Sequence, residues 1–176
     1  MDPVKSKAAN TKRTNQNNKP TVVLMTRWHA IYRCKNRLSK DIGPFKAAKI
    51  QEKLTNHTIK VAKEIQQEGL ADIKVAIDGI GIRAAKKWAL LNKIKKVAIQ
   101  GPGNLGTKMK RQFLQTHSEK TLSQQSQKHV LIIGTDLPSI SRFDLTQAIH
   151  ALNHKDMVLG PSIDGGYWLI GLQLNL

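Results

Sequence analysis

Residues 129–173 read HVLIIGTDLPSISRFDLTQAIHALNHKDMVLGPSIDGGYWLIGLQ. An apolar run, Val130 to Ile133, ends in Gly134-Thr135-Asp136-Leu137-Pro138. A second, Met157 to Leu159, leads into Gly160-Pro161-Ser162-Ile163-Asp164-Gly165-Gly166-Tyr167. Short apolar runs closed by Gly, Pro and Asp are strands that stop at turns. Between the two runs, Phe143 to Leu152 is expected to be a helix, and Tyr167 to Leu172 a further strand. Each hydrophobic segment thus delivers an aspartate into a tight turn, and the expectation is that Asp136 and Asp164 converge on one site.

Upstream, the same alternation repeats. Thr21 to Met25 is a short β-branched run, expected as a buried strand, with a long polar loop from Thr26 to Asp41 after it. Gly43-Pro44 opens a helix, because proline suits a first helical position. Its apolar stripe runs from Ala47 to Ile65 and Gly69 is the expected stop. Strands are expected at Ile73 to Ile77 and Lys95 to Gln100, and helices at Ile82 to Leu91 and from Gly106 through Met109 and Phe113. Residues 117–128, rich in Ser, Gln and Lys, are expected as an exposed insertion. Strands alternating with helices predict an α/β fold of three αβα layers around a mainly parallel sheet, with the ligand at the carboxyl ends of the strands.

At 176 residues the chain fits one domain, expected over 21–176, preceded by a disordered basic tail over 1–20. Hydrophobic residues make up 40%, with no run long enough for a membrane span and no apolar segment of a secretory signal. A single cysteine, Cys34, excludes an internal disulfide and points to a reducing, cytoplasmic compartment. The formal charge is +17; Lys5, Lys7, Lys12, Arg13 and Lys19 against Asp2 account for +4 of it, which leaves +13 in the folded part. Such a chain attracts polyanions: nucleic acid, anionic membrane surfaces or phosphorylated small molecules. Aromatics are only 5% and no nucleic-acid recognition motif is present, so the expectation is non-specific affinity for nucleic acid without a dedicated role.

Four features could carry chemistry, and each is weighed against a plainer reading. Asp136, just past a strand, is placed to bind a divalent cation, since magnesium takes one or two carboxylates plus waters and substrate phosphates; equally, it could cap the helix after Ser139. Ser141, with Asp144 three residues on, offers a competing capping box. Asp164-Gly165-Gly166 between two apolar strands is a hairpin signal before it is a ligand. Arg33, Lys35 and Arg37 alternate, which in an extended segment would put them on one face to grip a diphosphate; they also fit a solvated loop. Gly101 to Gly106 fits G-x-G-x-x-G, so a dinucleotide-binding fold competes, but two βα units precede it and the nearest strand-end acid lies 30 residues beyond Gly106. Six scattered histidines and a lone cysteine exclude a zinc site, and serine-hydrolase and P-loop motifs are absent.

Together these motifs resemble the radical-SAM/selenodomain-associated transferase 1 family, the arsenosugar-biosynthesis-type glycosyltransferase-like proteins of the glycosyltransferase-A (nucleotide-diphospho-sugar transferase) fold. The resemblance rests on Arg27 and Lys35-Asn36-Arg37-Leu38, on Gln100-Gly101-Pro102-Gly103-Asn104-Leu105-Gly106-Thr107-Lys108-Met109, and on Gly134-Thr135-Asp136-Leu137-Pro138 with Leu159-Gly160-Pro161-Ser162-Ile163-Asp164-Gly165-Gly166-Tyr167. It implies a Rossmann-like glycosyltransferase-A domain and a transferase using Mg²⁺ or Mn²⁺ and a nucleotide-activated donor, with an unknown acceptor. Lys35 and Arg37 would hold the donor phosphates; Gln100, Gly101 and Gly103 would line the nucleotide pocket. Asp136 would bind the metal, with Asp164 as second carboxylate at the metal or the acceptor. Nucleotidyl transfer would use the same parts, and a basic binding protein that has lost turnover is a third expectation. The family's turn before the basic element usually carries a glycine where this chain has Tyr32, and a threonine where it has Asn36. A tyrosine is not expected to supply the positive φ of glycine, which implies altered donor binding. Relatives are also expected to continue beyond the position of Leu176 with a segment on the acceptor side.

Overall fold

A computed structural model describes residues 19–122 and 129–174. The chain order is β1 (Thr21–Arg27), α1 (Asn36–Ile42), α2 (Pro44–Gln67), β2 (Asp72–Asp78), α3 (Ile82–Leu91), β3 (Lys96–Ile99), α4 (Leu105–Leu122), β4 (His129–Gly134), α5 (Arg142–Leu152), β5 (Met157–Pro161) and β6 (Tyr167–Gln173). The six strands form one sheet in the order β3-β2-β1-β4-β6-β5. Strands β3, β2, β1 and β4 are mutually parallel, and β6 runs antiparallel to both β4 and β5. The expected mainly parallel α/β sheet is therefore present, with one reversed strand near an edge.

Alternation along the strands builds two cores. Val22 and Leu24 of β1, Ile73, Val75 and Ile77 of β2, and Leu131 and Ile133 of β4 face α2, α3 and α5. Their neighbours Val23, Met25, Ala76, Val130 and Ile132 face Met109 and Phe113 of α4. Both faces of the central strands are buried, which is why they read as continuous apolar runs. Helix α2 begins as expected: Gly43 takes φ 84° and Pro44 follows at the first helical position. It ends where Gly69, at φ 76°, turns the chain so that Leu70 N–H donates to Ile65 O at 3.0 Å.

Two expected loops turn out helical. The polar stretch 26–41 contains α1, and α4 continues to Leu122, through the first half of the expected insertion at 117–128; residues 123–128 lie outside the described residues. Polar composition reports exposure, not conformation, and Ser, Gln and Lys are all tolerated on a solvent-facing helix. The expected disordered tail, 1–20, lies outside the described residues except for Lys19 and Pro20. Pro20 O accepts the Asp72 N–H at 2.9 Å, so these two lead directly into the sheet. Among the described residues, no helix is long and apolar enough to cross a membrane.

One buried charge pins α4 to the sheet. Lys74 of β2, 2% exposed, donates from Nζ to Glu119 Oε1 at 2.7 Å and to Thr116 Oγ1 at 3.5 Å. Removing the acid strands a buried cation, whereas replacing the cation with an apolar side chain does not. We expect Glu119→Ala to destabilise the fold by about 2 kcal/mol and Lys74→Met by less than about 1 kcal/mol, as read by urea unfolding.

Candidate functional site

In a doubly wound sheet the chain leaves the first strand in one direction and later returns to start on its other side, opening a crevice at the carboxyl ends. Here the reversal lies between β1 and β4. Where these two strands end, a cleft of about 660 Å³ opens, within the range of small-molecule sites. Arg27, Asp78, Gln100, Gly103, Lys108, Asp136, Asp164 and Tyr167 are among the residues that line it. Asp136 and Asp164 are thus brought to one cleft, as their strand ends suggest.

Asp136 follows β4 and stands 71% exposed at this edge, with Oδ1 3.0 Å from Lys35 Nζ. The capping alternative is resolved by α5. Ser141 accepts at Oγ from the Asp144 N–H, and Asp144 Oδ2 accepts from the Ser141 N–H at 2.8 Å. This reciprocal box satisfies the helix start, so the Asp136 carboxylate is not its cap. Asp164 behaves as the hairpin signal predicts. It lies in the β5–β6 turn, with Gly165 at φ 83°, and its Oδ1 accepts from Ser162 Oγ at 2.5 Å and from the Gly166 N–H at 3.2 Å. The Ser162 hydroxyl, then the Gly166 amide, hold the Asp164 carboxyl below the ordinary carboxylate range.

The basic segment differs from the extended arrangement expected. Residues 31–34 turn and α1 starts at Asn36, so Arg33, Lys35 and Arg37 do not share a face by alternation. Lys35, at φ 46°, reaches Asp136; Arg37 sits exposed on α1 and does not line the cleft. Tyr32 also corrects an expectation. It takes φ 64°, so the turn keeps the backbone a glycine would favour, at a cost of about 1 kcal/mol. Cys34 is buried and donates to Ala30 O at 3.3 Å, and that burial pushes its thiol up against the opposing charges of Lys35 and Arg27. It is not an activated nucleophile.

The glycine loop is braced from behind. Gly101 and Gly103 take φ 73° and 112°, and the Arg111 guanidinium lies 2.9 Å from where a Gly101 Cβ would stand. Arg111 donates to the Gln100 and Pro102 carbonyls. Asn104 Oδ1 accepts the Thr107 N–H at 2.9 Å and so satisfies an amide that a phosphate would otherwise take. Gln100 lines the cleft, but its amide nitrogen donates to Thr26 O and Ala76 O, both at 2.9 Å. Its part in a ligand is thereby limited to its side-chain oxygen and backbone. Gly101 itself does not line the cleft, whereas Gly103 does.

Three residues absent from the expected site line the same cleft as one hydrogen-bonded group. Asp78, the last residue of β2, accepts at Oδ2 from Lys108 Nζ at 2.9 Å and from Arg27 Nη2 at 3.1 Å. Burial alone would raise the Asp78 carboxyl; the Lys108 and Arg27 hydrogen bonds and charges outweigh it, and the net direction is down. Asp78-Gly79 at a strand end repeats the signal given by Asp136, which is the trace the sequence held. For a metal, no group of three His, Cys, Asp or Glu comes together among the described residues, so there is no all-protein cage. One or two carboxylates completed by waters and substrate phosphates are what Mg²⁺ uses, and Asp136 and Asp164, both lining the cleft, fit that donor set.

Because the folded Asp78 pKa is depressed, its contribution to stability is complete above the ordinary carboxylate value of 3.8 and is lost as pH falls through the lower folded value. Asp78→Asn is expected to lower stability at neutral pH and to flatten the acid limb of stability against pH below about 4. Urea titrations between neutral and acid pH check both.

No curated protein matches this chain in sequence. Its fold is similar to that in the crystal structure of a candidate nucleotide-diphospho-sugar transferase from Desulfovibrio desulfuricans G20, with a TM-score of 0.69 at 24% identity, over 89% of this chain and 64% of that one. This chain therefore spans less than two thirds of that protein's length. The likeness shows the fold, glycosyltransferase-A-like. A 4-diphosphocytidyl-2C-methyl-D-erythritol synthase from Anaerococcus prevotii DSM 20548 aligns over 89% of this chain and 72% of that one at 12% identity, but its TM-score of 0.48 is too low to argue from. The model of a bacterial family described as "Uncharacterized protein conserved in bacteria (DUF2064)" matches residues 60–176, from the middle of α2 onward and including Asp78, the glycine loop and both expected carboxylates. This chain belongs to the DUF2064 family.

Proposed function

We propose that the chain is a metal-dependent transferase acting on a nucleotide-diphospho-sugar donor, in line with its resemblance to the radical-SAM/selenodomain-associated transferase 1 family. The observation that carries this reading is Asp136: a strand-end carboxylate at the reversal point of the sheet, relieved of capping by Ser141 and facing a nucleotide-sized cleft beside Lys35. Mg²⁺ or Mn²⁺ would be held by Asp136, with Asp164 as the second carboxylate, and would supply neutralisation of the negative charge that grows on a departing diphosphate.

The chain's own residues do the rest. Lys35 holds the Asp136 carboxylate in place and adds a positive charge beside it for the donor phosphates. Arg27 and Lys108 flank Asp78 with two further cations on the cleft wall, so the phosphate-binding role extends to them, while exposed Arg37 contributes only charge at a distance. Tyr167 also lines the cleft, its hydroxyl 3.9 Å from the Met109 sulfur of α4. A cytoplasmic location belongs to the same reading, since nucleotide-activated donors and a lone thiol both suit that compartment.

The test is a thermal-shift panel of nucleotide sugars and nucleoside triphosphates with and without Mn²⁺. A nucleotide sugar at a hundredfold excess over Kd is expected to raise Tm by about 5–10 °C, only with metal. Asp136→Asn should abolish that metal-dependent part. Retention of it in the variant would refute the assignment. A response confined to triphosphates would turn the reading to nucleotidyl transfer. No response to either, with salt-sensitive nucleic-acid binding, would leave a basic binding protein.

A further inference from the structure

Helix α3 packs one face on the sheet through Ala85, Ala89 and half-buried Trp88. Its outer face carries Arg83, Lys86, Lys87 and Leu90, with Leu91 beside them and Lys93 and Lys95 in the turn that follows. Leu90 is 78% exposed and Leu91 75%. From Ile82 to Lys96 there is no Asp or Glu. Lys96 pairs with Asp72, but Arg83, Lys86, Lys87, Lys93 and Lys95 form no ion pair among the described residues.

Single exposed leucines are ordinary. Two adjacent ones framed by three cations on the helix and two in the turn after it, none in an ion pair among the described residues, are the pattern of a surface that meets an apolar layer under a negatively charged skin. The turn after the helix adds to it. The Lys93 N–H donates to Leu90 O at 3.0 Å and the Ile94 N–H to Ala89 O at 2.8 Å, which leaves Lys93 at φ 51°, where glycine would sit without strain. A lysine there keeps a cation at the leucine end of the helix. Because β2 and β3 are parallel, α3 runs back from the cleft edge to the opposite edge of the sheet, and none of its residues lines the cleft.

We propose that the outer face of α3 is a docking surface for an anionic phospholipid bilayer, with Leu90 and Leu91 entering the headgroup boundary and Arg83, Lys86, Lys87, Lys93 and Lys95 meeting the lipid anions. Nucleic acid shares the charge preference but not the need for leucines: strand-binding surfaces offer aromatic platforms, and α3 exposes none beyond half-buried Trp88. Docking by this face leaves the cleft open to solvent.

The full chain is to be sedimented with vesicles of phosphatidylcholine alone and of phosphatidylcholine mixed with phosphatidylglycerol. Retention is expected on the mixed vesicles only and should fall with salt. Leu90→Gln/Leu91→Gln and, separately, Lys86→Gln/Lys87→Gln are each expected to weaken it by about tenfold. The matched pair Lys46→Gln/Lys53→Gln, exposed on α2, should change it by about twofold at most. All six positions are exposed, so unchanged melting profiles are expected. The proposal is overturned if mixed vesicles are not bound, if the leucine pair has no effect, or if the two lysine pairs weaken binding equally. It is equally overturned if the α3 variants lose affinity for a single-stranded RNA while keeping it for vesicles.

Discussion

At the carboxyl edge of the sheet lies a small buried knot of hydroxyls and one amide. Thr26 Oγ1 lies 2.9 Å from Thr55 Oγ1 and accepts from Thr135 Oγ1 at 3.1 Å; Gln51 Nε2 donates to Thr55 at 3.2 Å and reaches Thr26 and Thr135 at 3.4 and 3.5 Å. All four residues are buried, so the three hydroxyls and the Gln51 amide nitrogen depend largely on one another for hydrogen bonds. The knot joins β1, β4 and α2 at one point. Thr26 in β1 and Thr135 just past β4 are each followed by a residue of the cleft, Arg27 and Asp136. Fixing the threonines therefore fixes the backbone from which a cation and a carboxylate project, and the site inherits the rigidity of the sheet.

How much of this could be read from sequence divides along physical lines. The strands and the helices α2, α3 and α5 were legible because burial imposes periodicity, and because Gly43-Pro44, Gly69 and the Ser141–Asp144 pair mark boundaries with their own chemistry. Helix α1 and the second half of α4 were hidden, since polar segments carry no burial period. The knot was hidden too: threonines and a glutamine with apolar neighbours look like surface until three elements meet. The Asp78 triad was missed because its members lie 51 and 30 residues apart, and only the sheet brings β1, β2 and α4 together. Conversely, the G-x-G-x-x-G match raised a competing dinucleotide-binding fold, yet Arg111 braces the loop through its carbonyls and Asn104 already takes the Thr107 amide at the helix start.

Charge distribution sharpens the site. The chain has 29 Lys and Arg against 12 Asp and Glu. Three of those twelve acids, Asp78, Asp136 and Asp164, line a single cleft. In so basic a protein the acids are scarce, and their gathering at the reversal point is not what a merely soluble surface would require. Two of them also hold cations: Asp78 holds Arg27 and Lys108 on the cleft wall, and Asp136 holds Lys35. Under the proposed function, an incoming diphosphate would offer those cations the same kind of partner in the same place. The carboxylates thus keep the positive groups assembled before a ligand arrives, which reduces the ordering that binding must impose.

The basic turn shows what that assembly costs. Within four residues the chain places two side-chain-bearing residues, Tyr32 and Lys35, at positive φ, each at a cost of about 1 kcal/mol. The surrounding bonds over-determine the turn: Arg33 N–H to Ala30 O at 3.1 Å, Cys34 Sγ to Ala30 O at 3.3 Å, and Ser39 N–H to Lys35 O at 2.9 Å at the start of α1. With Lys35 in the left-handed region, α1 starts one residue later and the lysine side chain is left to meet Asp136. A helical or extended Lys35 would change that direction. Tyr32 therefore keeps the positive φ that a glycine would adopt at this turn. It occupies that backbone under strain, 77% exposed and with little packing in return. The strain is local, and the ion pair at its end is the feature that the rest of the turn is arranged to hold.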